Sequence, residues 1–96
     1  RNYNLKKIII AYEPIWSIGT GKVPKTNELK KTVIILKKFL KLNFRTKHNF
    51  QILYGGSVDN KSIHNFKLIK ELDGFLIGGA SKSSKKFIDI IKNYYR

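Results

Sequence analysis

The chain has 96 residues, 42% of them hydrophobic, a formal net charge of +14 and no cysteine. Those figures fit one domain with an apolar core and exclude wholesale disorder, a disulfide framework and a thiolate metal centre. No apolar run reaches membrane-spanning length, so no membrane partner is expected.

The first residues, Arg1-Asn2-Tyr3-Asn4, lead into Lys6-Lys7 without a signal-peptide pattern, and the start at Arg hints at missing upstream sequence. Lys7 to Glu13 is then a continuous apolar run with β-branched residues, the pattern of a strand buried on both faces. A glycine-punctuated loop follows from Pro14 to Lys25. From Asn27 to about Leu42, Leu29, Val33, Leu36 and Leu40 recur at helical spacing on one face, with Thr26 as N-cap and Glu28 in the first turn. Phe50 to Tyr54 reads as a second strand, followed by the loop Gly55-Gly56-Ser57-Val58-Asp59. A shorter helix then packs through Ile63, Phe66 and Leu68. Gly74 to Ile77 is a third strand ending in Gly78-Gly79-Ala80-Ser81, and a last helix from Ser84 to Tyr95 turns Phe87, Ile88, Ile91 and Tyr95 inward. Three strand–helix units in succession make an α/β fold with parallel strands. Its sites belong at the C-terminal strand ends, whether the sheet is open or closed into a barrel.

Glu13 ends the first strand, where a carboxylate projects from the mouth of a parallel sheet. That position suits a general base as readily as an exposed strand-end charge. A carboxylate in water, with a pKa of about 4.3, is a feeble base, and an apolar, water-excluding surround strengthens one. Gly19-Thr20-Gly21, Gly55-Gly56-Ser57 and Gly78-Gly79 follow three successive strands. Glycine lets backbone N–H groups close on a bulky anion, so a phosphate is the natural guest of such loops together. Each alone reads equally as an ordinary turn. His48 and His64 have no metal-ligand company and read as surface or structural residues; no metal is expected. Trp16 reads as a loop anchor or as packing. The lysines are scattered over every segment, the mark of a solvated surface more than of a nucleic-acid site.

The stretch Ala11 to Lys22, with Tyr54-Gly55-Gly56-Ser57-Val58 and Leu76-Ile77-Gly78-Gly79-Ala80-Ser81, resembles the triosephosphate isomerase family in order and spacing over essentially the whole chain. The resemblance implies that residues 1–96 form the C-terminal portion of a (β/α)8 barrel, three of its eight units. It implies Glu13 as the proton-shuttling base, in a family whose glutamate base and water-excluding loop are established. Backbone N–H groups of Gly19, Ser57, Gly78 and Gly79 would hold the substrate phosphate. Pro14, Ile15 and Trp16 would be one lid hinge and Lys22, Val23 and Pro24 the other, with Ser17, Ile18, Gly19, Thr20 and Gly21 between them. Tyr54 and Ser57 would latch the lid, while Ile18 and Leu76 would pack around the Glu13 carboxylate.

The family reading also implies a triose phosphate substrate, a glycolytic and gluconeogenic role, no cofactor, a cytoplasmic setting and a homodimer for the complete enzyme. Ser17 departs from the small apolar residue usual in the family, and Val23-Pro24 stiffens the second hinge. The family's lysine, asparagine and electrophilic histidine would lie in earlier units, so these residues alone are expected to be inactive. Another phosphate-binding barrel enzyme, or a relic of one, is the alternative, with a basic nucleic-acid module more distant.

Overall fold

The computed structural model describes residues 4–20, 22–59, 61–78 and 83–95. Three parallel strands, β1 (Ile9–Tyr12), β2 (Gln51–Tyr54) and β3 (Gly74–Phe75), pair in the order β1-β2-β3. They are joined and followed by α1 (Thr26–Asn43), α2 (Ser62–Phe66) and α3 (Ser84–Tyr94). Strand order follows chain order without the reversal that marks a doubly wound sheet. The strands are shorter than the apolar runs predict. Lys6 and Lys7 fall in a 3-10 turn over Leu5–Lys7, and β3 stops at Phe75, although the Leu76 N–H still donates to the Tyr54 carbonyl at 2.9 Å.

The helices cover one sheet face. Ile52 and Tyr54 of β2 are fully buried there against Leu29 and Val33 of α1, Phe66 of α2 and Ile69. Ile10, Tyr12 and Phe75 pack at the margin of this cluster. The expectation that β1 is buried on both faces is corrected: Ile9 is 58% exposed and Ala11 is exposed. An unbroken apolar run cannot say whether its second face has a partner nearby, and here the described residues supply none.

Three packing assignments also shift. Leu68 is 73% exposed and Ile69 is buried in its place. Leu68, Ile69 and Leu72 donate to carbonyls three residues back, so the chain leaves α2 at about three residues per turn. That spacing aligns Ile63, Phe66, Ile69 and Leu72 along one side. In α3 the buried position is Ile90, whereas Ile88 and Ile91 are over two-fifths exposed and Tyr95 is 80% exposed. The helix is rotated because it docks through Asn93 and Tyr94. The His64 imidazole bonds the Asn93 side chain at 2.8 Å, Lys67 Nζ donates to the Asn93 carbonyl, and the Tyr94 ring meets Phe75 edge-on. Finally, Thr26 is not the N-cap: it is already helical, and Lys25 precedes it with its carbonyl accepting from Leu29 N–H.

Candidate active site

Parallel pairing sets the site's geometry before any side chain is considered. Tyr12 is level with Tyr54, and Tyr54 with Phe75. The ladder continues one residue further, through the Gly55 N–H to the Tyr12 carbonyl at 2.9 Å and the Leu76 N–H to the Tyr54 carbonyl. Glu13, Gly55 and Leu76 therefore form one row at the C-terminal strand ends. By strand alternation this row lies on the face opposite the helices.

The row explains one glycine directly. A methyl group placed on Gly55 would sit 2.8 Å from Glu13 Cγ and 3.2 Å from Oε1, so the Glu13 side chain lies across the bare Gly55 backbone. Gly56 is hemmed in from the other side, where an added carbon would collide with the Tyr54 hydroxyl and stand 2.6 Å from Ser17 Oγ. The two glycines thus admit Glu13 on one flank and the loop after β1 on the other. Sequence reading assigned this pair to anion binding, and close approach of protein to protein is an additional reason for it.

The loop after β1 begins at buried Pro14 and returns through buried Pro24, with Val23 packed on the core cluster. Between them Ile15 is 88% exposed and Trp16 and Ile18 are each 50% exposed. Gly19 adopts φ +64°, a left-handed conformation natural to glycine, and an added carbon there meets nothing within 4 Å. Thr20 braces the turn: its hydroxyl donates to the Trp16 carbonyl at 2.8 Å and accepts from Lys22 N–H at 3.0 Å.

Tyr54 projects from the helix side of β2, and burial pushes its phenol above the ordinary range, although a hydrogen bond with Ser17 pulls the other way. Ser57 meets the same loop, its hydroxyl and its amide both pointing at Ser17. Leu76 is 42% exposed, level with Glu13 but separated from it by Gly55 in the row. Gly78 lies at the open end of the third strand, with free space where a side chain would go. Gly21 and Gly79 lie outside the described residues. The structure therefore gathers Glu13, Tyr54, Gly55, Ser57, Leu76 and the Pro14–Thr20 loop at one sheet end. His48 is elsewhere, stacked edge-on against Phe50, and His64 bridges α2 to α3. Among the described residues no cluster of histidine and carboxylates could hold a metal ion, and no helix is long and apolar enough to cross a membrane.

Consecutive parallel β/α units with a carboxylate and glycine loops at their C-terminal ends are the arrangement found at the site end of a (β/α) barrel. The family model described as triosephosphate isomerase matches residues 1–94. The triosephosphate isomerase of Dictyostelium discoideum is 43% identical over 89 residues, which cover 91% of this chain and 35% of that protein. Those of Mycoplasma genitalium and Gloeobacter violaceus are 36% and 41% identical, covering 94% and 92% of this chain and 38% and 35% of theirs. The chain belongs to the triosephosphate isomerase family, and it spans about a third of the length of these relatives.

Ser17 is the residue whose importance sequence reading missed. The resemblance marks it only as a departure from the family's small apolar residue, yet it is fully buried and is the centre of the loop's hydrogen bonds. Its signal was present in the sequence: a polar residue set between Ile15-Trp16 and Ile18 in an otherwise apolar stretch.

Proposed function

We propose that this chain supplies the catalytic base and the phosphate-facing loops of a triosephosphate isomerase, which interconverts dihydroxyacetone phosphate and glyceraldehyde 3-phosphate. Glu13 takes a proton from one carbon beside the carbonyl and returns it to the neighbouring carbon through an enediolate. No net oxidation occurs, and no cofactor is required. Backbone N–H groups of Gly19, Gly78 and Gly79 grip the phosphate, joined by that of Ser57 when it leaves Ser17, which fixes the reacting carbons relative to Glu13. The exposed apolar residues Ile15, Trp16 and Ile18 suit a lid that covers the substrate, and with Leu76 they keep water from the base. The electrophile that polarises the carbonyl comes from strand–helix units outside these 96 residues. The complete enzyme is expected to be a cytoplasmic homodimer acting in glycolysis and gluconeogenesis.

The observation that carries this reading is the row of Glu13, Gly55 and Leu76 at the strand ends, with the glutamate laid across a glycine it could not otherwise pass. The test is complementation: this chain is co-expressed with the first five strand–helix units of the Dictyostelium relative, and triose phosphate interconversion is assayed. Turnover is expected from the assembled complex, with a loss of about a thousandfold in Glu13→Gln, within the range usual for loss of a general base. The purified chain by itself is expected to give no enzymatic turnover. A soluble, assembled complex without activity would refute the assignment.

A further inference from the structure

The loop after β1 exposes Ile15, Trp16 and Ile18 yet buries Ser17 completely, an inversion of the usual preference. A buried hydroxyl needs partners, and Ser17 has a full set. Its Oγ donates to the Lys22 carbonyl at 2.7 Å, lies 2.8 Å from the Tyr54 hydroxyl and accepts from Ser57 N–H at 2.9 Å. With its one proton on Lys22, the oxygen receives Tyr54 and Ser57 on its two lone pairs, the complete capacity of a serine hydroxyl. The backbone of the same residue is held too, since Ser57 Oγ donates to the Ser17 carbonyl at 2.5 Å. The Tyr54 hydroxyl also stands 3.1 Å from the Ser57 carbonyl, an alternative acceptor for its proton.

This arrangement joins three points of the fold. Residues 17 and 22 lie near the two ends of the β1 loop, and Tyr54 and Ser57 belong to β2 and the loop beyond it. Pro24, buried at the loop's return, has no N–H to contribute. Gly56 lies beneath, too close to Ser17 Oγ and the Tyr54 ring to carry a side chain.

We propose that Ser17 is a positioning residue whose hydroxyl closes the β1 loop on itself at Lys22 and ties it to Tyr54 and Ser57, so setting where the loop sits at the C-terminal strand ends. Its kinetic consequence rests on the isomerase reading above; the tie itself does not.

The test uses the complex of this chain with the five preceding units, and reads tryptic cleavage after Lys22 by mass spectrometry alongside steady-state kinetics. Ser17→Ala is expected to speed that cleavage about tenfold, as loss of roughly one net hydrogen-bond energy implies. Tyr54→Phe should speed it as well, and the double variant should be no faster than the quicker single one, because both act through one oxygen. With glyceraldehyde 3-phosphate, kcat/KM of Ser17→Ala should fall about tenfold with part of the loss in KM, since a misplaced loop weakens substrate binding. Glu13→Gln should abolish turnover and leave cleavage unchanged. Should Ser17→Ala not fold, Ser17→Cys keeps the volume with a weaker donor and should show the same direction of change. Wild-type cleavage and kinetics in a folded Ser17 variant would overturn the proposal. Faster cleavage in a complex that is inactive even with wild-type sequence would uphold the tie and reject the isomerase reading.

Discussion

The two faces of the sheet present opposite situations. On the helix face, Ile52, Tyr54, Leu29, Val33 and Phe66 are all at or below 1% exposure and close a core from residues within this chain. On the other face, Ile9 and Ala11 are open, and Glu13, Gly55 and Leu76 form the row at its upper edge. The contrast separates two sources of order. The helix face is specified locally, by elements that follow one another in sequence. The opposite face, in a closed barrel, is filled by side chains from strands around the whole circumference. The row of Glu13, Gly55 and Leu76 sits on the face that has no local partners among the described residues, so its dryness depends on what a closed barrel and the loop bring to it.

Cavity formation gives the largest expected effect and the sharpest way to break this comparison. Phe66→Ala removes a ring that packs edge-on to Tyr54 and stacks near Phe75, and should destabilise the fold by about 3–5 kcal/mol. Ile9→Ala on the open face should change the stability of the chain alone by no more than about 0.5 kcal/mol. In the complex with the five preceding units the same change should rise to about 2–4 kcal/mol, as expected for a residue that has become part of a core. Urea unfolding of both variants, alone and assembled, makes the measurement. Equal cost for Ile9→Ala in both settings would mean that the second face is not a barrel interior.

The same division decides what could be read from the sequence. Leu29 and Val33 in α1 were legible because their helical spacing announces the buried side. The row at the strand ends was legible through Glu13 and the glycine loops. The openness of β1 was not, because periodicity reports the strand and not what covers its far side. Ile69 was missed because three-residue steps after Phe66 replaced the helical period, and α3 was misphased because Asn93 and Tyr94, polar-tipped residues, make its docking contacts. Ser17 escaped because a polar residue in an apolar stretch marks the position but not its partners, which lie up to forty positions away.

A medium effect is expected where a side chain finishes the sheet's hydrogen bonding. Asp73, just before β3, accepts from Ile52 N–H at 2.8 Å and from Lys37 Nζ at 3.4 Å through the same oxygen. The ion pair is partly exposed and contributes little, so the backbone contact is the larger part. Asp73→Ala leaves the Ile52 amide of a buried residue without its acceptor and should cost about 1–2 kcal/mol, whereas Lys37→Ala should cost at most about 0.5 kcal/mol. A Lys37 variant as damaging as the Asp73 variant would show that the charge, and not the amide, holds the two elements together.

The smallest effect concerns the entry to α2, on the helix side of the loop that carries Ser57. Asp59 Oδ1 accepts from Ser62 N–H at 2.7 Å and Lys61 N–H at 3.0 Å, while Ser62 Oγ accepts from Asp59 N–H at 2.9 Å. The backbone bond from Ser62 holds the Asp59 carboxyl below its ordinary value of 3.8, against a smaller opposing effect of burial. Hydrogen bonds to the ionised form therefore favour the folded state while the carboxylate is charged. Because the folded value is depressed, the contribution is complete above the unfolded value near 3.8 and disappears as pH falls through the lower folded one. Asp59→Asn keeps an acceptor oxygen but has no such titration. The difference in urea midpoint between wild type and Asp59→Asn should be small and constant from pH 5 to 7, then shrink below about pH 4. Asp59 is exposed, so solvent screening keeps even the full difference slight. A difference that persists unchanged to pH 2.5 would assign the stabilisation to the geometry of the turn, which asparagine reproduces, and remove charge from the account of how this loop is held.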